Sequence, residues 1–136
     1  MRTLAAIICT AFLAGGCVRP PQVISPAPVP AGPRPRSTAQ LTILSPAPGE
    51  EFTGPTVTVR LALAHGKITS LTSGPLRSDL GHIHLTVDGQ LVSMLAGLEQ
   101  TFSVGNGMHV LQAEFVAVDH FPFEPRVLTA TTFRVK

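Results

Sequence analysis

The residues of this sequence best placed to do chemistry are two histidines two positions apart, in the stretch Gly81-His-Ile-His-Leu-Thr-Val-Asp-Gly89. Side chains alternate along a strand, so His82 and His84 leave the same face with Cβ atoms about 7 Å apart, near enough to converge on one ion. Imidazole nitrogen suits Cu or Zn. The bland alternative is a pair of solvated histidines on an outer sheet face, with Thr86 and Glu114 as neighbours. His120 follows Asp119 directly and brings an imidazole beside a carboxylate. His65 lies in the loop Ala64-His-Gly66, whose geometry the sequence leaves open. His109 is in phase with Leu111, Ala113 and Phe115, the setting of a structural histidine that hydrogen-bonds back to the backbone.

Other chemistry has less to draw on. The stretch after Ala39 contains no Gly-x-Ser-x-Gly elbow, no phosphate-cradling glycine loop and no cysteine nucleophile. Asp79, Asp88 and Asp119 could serve as bases, but Asp88 is explained by its turn and no serine is fixed beside His120. A non-enzymatic protein is the expectation. The formal charge is only +2 and the Lys and Arg residues are scattered, which argues against nucleic-acid binding. Tryptophan and tyrosine are absent, so no exposed aromatic platform is on offer.

The elements that would position these residues are strands. From Ala39 onward, short alternating apolar segments are separated by Gly, Pro or Asn-Gly, and no stretch carries a 3.6-residue period. The pattern predicts strands over Gln40 to Leu44, Thr56 to Leu63, His82 to Val87, Gln90 to Leu95, Glu99 to Val104, Met108 to Ala117 and Val127 to Val135. Asp88-Gly89 supplies residues that tolerate positive φ, as a tight hairpin between the third and fourth of these requires. Val57, Val59, Leu61 and Leu63 should face Ile83, Leu85, Val87, Leu111, Ala113 and Phe115 across a core with no disulfide, because both cysteines, Cys9 and Cys17, precede it.

Ahead of the strands, Arg2 and the apolar run Leu4 to Leu13 have the basic start and short hydrophobic middle of a secretory signal over residues 1–16. The end of that run, Leu13-Ala-Gly-Gly-Cys17, resembles the lipobox of bacterial lipoproteins, with Leu one place further from the cysteine than usual. The resemblance implies lipidation of Cys17 and, with Val18 rather than Asp following it, a place in the cell envelope at the outer membrane. Ordinary signal peptidase cleavage at Ala14 to Gly16 is the alternative and gives a soluble secreted protein. Residues 17–38 then form a disordered proline-rich linker that holds seven of the thirteen prolines, and residues 39–136 form the folded domain.

Three motifs carry a further likeness. Ile43-Leu-Ser-Pro46-Ala-Pro-Gly49 leading into Val57-Thr-Val59, the hairpin Leu85-Thr-Val-Asp-Gly89, and Gly107-Met-His109-Val-Leu111-Gln-Ala113 together resemble bacterial immunoglobulin-like and fibronectin-type modules. The resemblance implies an all-β, seven-stranded immunoglobulin-like sandwich. Such modules pair their third and sixth strands antiparallel, which would bring His120 to the same end as His82 and His84. The long connection from His65 to Gly81 should crown that end. Two functions follow as expectations: a non-enzymatic binding or structural module with an envelope protein as partner, or a Cu- or Zn-binding protein using His82, His84 and His120.

Overall fold

A computed structural model of the chain describes residues 32–94 and 97–136. The leader, Cys17 and the linker as far as residue 31 lie outside the described residues, as does Leu95, the expected end of one strand. Among the described residues every regular element is a strand, nine in all where seven were expected. They are β1 (Gln40–Ser45), β2 (Glu50–Phe52), β3 (Thr56–Ala64), β4 (Lys67–Ile68), β5 (Leu80–Val87), β6 (Gln90–Ser93), β7 (Glu99–Ser103), β8 (Gly107–Ala117) and β9 (Pro122–Val135). The two additions, β2 and β4, are too short for alternation to show. Each pairs in parallel with a long neighbour, β2 with β9 and β4 with β5.

Two sheets result. One is three-stranded, in the order β1-β3-β7, and the other runs β2-β9-β8-β5-β4 with β6 also paired to β5. Period-two hydrophobicity decides which faces meet. Val57, Val59 and Leu61 from the small sheet are buried with Ile83, Leu85, Val87, Leu111, Ala113 and Phe115 from the large one. Leu63, expected among them, is half-buried and packs at the margin of the core. The β5–β6 hairpin turns through Asp88 and Gly89 with φ of 52° and 79°, the two left-handed residues that a tight turn of this twist demands.

The element that matters most for the site is β9. It was expected to begin at Val127, yet pairing with β8 resumes at Pro122. Phe115 pairs with Val127 and Val116 with Pro122, so residues 123–126 bulge out of the ladder. The bulge has a packing reason. It drops Phe123 into the core, 1% exposed, with its ring 5.2 Å from that of Phe115. It also swings Arg126 back over Glu114.

Candidate functional site: a histidine rim

Antiparallel pairing of β5 with β8 places His82 opposite Val116 and His84 opposite Glu114. β8 then turns into β9 through residues 118–121, a hairpin closed by bonds from the Ala117 amide to the Phe121 carbonyl and from the His120 amide to the Ala117 carbonyl. His120 occupies that turn with φ 64°, a left-handed conformation uncommon for a residue with a side chain. The turn folds its ring over the outer face of the large sheet. There the three imidazoles meet.

His84 Nε2 lies 3.1 Å from His120 Nδ1. His82 is 3% exposed, and its ring is stacked on that of His120 with centroids 4.3 Å apart and planes inclined by only 2°. Its Nε2–H points at the Val118 carbonyl, 3.4 Å away, and not into the gap between the other two rings. His82 therefore stands behind His120, not beside it. Burial, with the neighbouring histidine His120, holds the pKa of His84 below the usual histidine range; burial and His82 do the same for His120. Among the described residues, no three His, Cys, Asp or Glu side chains are gathered as a complete metal cage.

Two ion pairs frame the rim. Glu114 accepts both Arg126 Nε (2.7 Å) and Nη2 (2.6 Å). Asp119 accepts Arg34 Nη1 at 2.6 Å and Nη2 at 2.9 Å, and the same guanidinium donates to the carbonyls of Phe121 and Pro122. Its carbon also lies 5.8 Å from the centre of the Phe121 ring. Bonding to Arg34 holds the Asp119 carboxyl below its ordinary pKa. The Glu124 amide donates to the Pro35 carbonyl, so two successive residues of the expected linker are fastened to the β8–β9 hairpin.

Sequence reasoning missed Arg34. Flanked by Pro33 and Pro35 it looks like part of a solvated spacer, and the only hint was an acidic residue, Asp119, in the opposing turn with no Lys or Arg within five positions of it. The connection after β3 flanks the same end: the Lys67 amide donates to the Asp79 carbonyl and the Thr69 amide to that of Gly81. His65 sits in the turn after β3, also left-handed. His109 lies elsewhere. It bridges the Asp88 carboxylate (2.7 Å) and the Gly105 carbonyl (2.9 Å), tying two turns together.

Compared with known proteins, the sequence matches no family and no curated protein. Solved structures do match. The fibronectin(III)-like modules of Clostridium thermocellum CbhA share 19% identity with a TM-score of 0.51, over 71% of this chain and 46% of theirs. The fold is fibronectin-III-like. An engineered protein also matches, at 14% identity and a TM-score of 0.47, over 72% of this chain and 20% of its own. This chain thus spans less than half the length of either of those structures, and at these identities the likeness concerns architecture alone.

Proposed function

We propose that this protein is a non-enzymatic, envelope-anchored module, lipidated at Cys17 and held off the membrane by its proline-rich segment, that acts by contact. The observation that carries the reading is the Arg34 clamp. A spacer joined to a sandwich by a freely rotating link would point the domain in no fixed direction. Here Arg34 and Pro35 are tied to Asp119, Phe121, Pro122 and Glu124, so the chain leaves the domain from one defined point beside the histidine rim. Sixteen residues separate Cys17 from Arg34. At about 3.1 Å per residue in an extended proline-rich chain they would reach roughly 50 Å. The rim would then face the membrane and the Asp88-Gly89 turn would face away.

The charges support a non-catalytic reading. The carboxylates closest to the histidines, Glu114 and Asp119, are both chelated by arginine and so are poorly placed to act as bases. Expression of the full chain in a Gram-negative host, followed by membrane fractionation and mass analysis of Cys17, tests the anchor. We expect a diacylglycerol-modified cysteine in the outer-membrane fraction and release of the protein by Cys17→Ser. An unmodified protein in the soluble fraction would contradict the anchor.

A further inference from the structure

We propose that His84 Nε2 and His120 Nδ1 form a two-imidazole site for Cu²⁺, completed by water. The two nitrogens face each other at 3.1 Å. With metal–nitrogen bonds of about 2.0–2.1 Å, that separation subtends about 100° at a shared ion. This lies between the right angle of a tetragonal Cu²⁺ site and the wider angle of a tetrahedral one; the rings now meet edge to edge, with centroids 5.4 Å apart, so each must turn by roughly 40° to aim its nitrogen at the ion. Only two protein ligands are in place. With so few donors the order of intrinsic affinities decides which ion is held, and Cu²⁺ heads that order.

The rim prepares the pair in three ways. The left-handed backbone at His120, φ 64°, is closed by the hairpin bonds around it and delivers the ring over β5. His82 fixes the plane of that ring by stacking on it at 4.3 Å, while its own Nε2–H is engaged at Val118. This makes His82 a positioning residue. Arg34 holds the turn through Asp119 from the other side. One hydrogen at present lies between the two nitrogens; when the ion takes its place, the donor ring changes tautomer and carries that hydrogen on its other nitrogen. Glu114 and Asp119 leave the field around the site close to neutral, because Arg126 and Arg34 balance them.

The site reaches beyond the anchored-module reading and does not depend on it. It is therefore tested on the full chain carrying Cys9→Ala and Cys17→Ala, which removes thiolates that would compete for copper. Calorimetric titration with Cu²⁺ should give one ion per chain with a Kd of about 10 µM or tighter. Frozen-solution EPR should show hyperfine coupling from two imidazole nitrogens. His84→Ala and His120→Ala should each weaken binding at least tenfold, and His109→Ala, whose ring lies among other turns, should leave it within twofold. His82→Phe, which keeps a flat ring behind His120, should retain the two-nitrogen spectrum. Circular dichroism and melting curves establish that each variant is folded. The proposal is overturned by a Kd weaker than about 100 µM, by a loss under tenfold in a folded His84→Ala or His120→Ala variant, or by a spectrum of the parent chain without two nitrogen couplings. That last readout holds even where a variant fails to fold.

Discussion

His109 shows what a histidine does when it is structural. Its Nδ1 meets the Asp88 carboxylate and its Nε2 the Gly105 carbonyl, two acceptors, and only the imidazolium can donate to both. The bond to Asp88 accordingly raises its pKa. A base whose folded pKa lies above its unfolded value binds more protons when folded between the two. Its stabilising contribution is then complete below the unfolded value near 6.5 and is lost as pH climbs through the raised one. We expect the melting temperature of the parent chain to exceed that of His109→Gln at pH 6 and the gap to close by pH 9. A gap that widens with pH would refute the imidazolium. This histidine was legible in the sequence from its phase with the core. His82 and His84 were legible from strand alternation, and the arrival of His120 from the pairing that the module likeness implies. The stacking of His82 was not, because a two-residue period fixes the face of a strand and says nothing about which way a ring turns. Arg34 was invisible for a different reason: its partner lies 85 positions away in a turn.

Among the elements, β5 and β8 determine where the rim can be. Gly81 pairs with Ala117 at the point where β5 enters the sheet, one position before His82. A Cβ built there would stand 1.8 Å from the Val116 carbonyl oxygen and 3.2 Å from the Phe115 ring. Backbone cannot yield as a flexible side chain could, so Gly81→Ala must break the first turn of pairing or push the strands apart. We expect a loss of several kcal/mol, at the upper end of single substitutions, measured by denaturant unfolding. A loss below about 1 kcal/mol would show that the strands do not approach so closely. Strands with long alternation were readable almost to the residue: Gln40 to Leu44 was expected where β1 spans Gln40–Ser45, and Thr56 to Leu63 where β3 spans Thr56–Ala64. The bulge in β9 was not readable. Phe121-Pro-Phe-Glu-Pro125 carries two prolines in five residues, which in sequence signals a loop, and it is burial of Phe123 that holds the bulged stretch against the core.

Across the whole molecule, one pole gathers the groups able to act. Two sheets close over a core that includes Phe115, Phe123 and Phe133, and the register of β5, β8 and β9 leaves their shared end as the place where histidines, ion pairs and incoming chain meet. The Asp88-Gly89 turn and the end of β9 lie at the other pole, with His109. The sheets themselves were foreseeable from hydrophobic alternation; the fastening of the incoming chain was not, since it depends on the Arg34 side chain and the Pro35 carbonyl meeting a turn far away in sequence. The most direct measurement is a set of proton–proton nuclear Overhauser contacts in the folded chain with its histidine rings assigned. Contacts from the ring protons of His120 to those of both His82 and His84, together with a contact from the Arg34 side chain to the Phe121 ring, are what this arrangement predicts. Contacts from His120 to neither ring, with Arg34 showing only sequential ones, would contradict it.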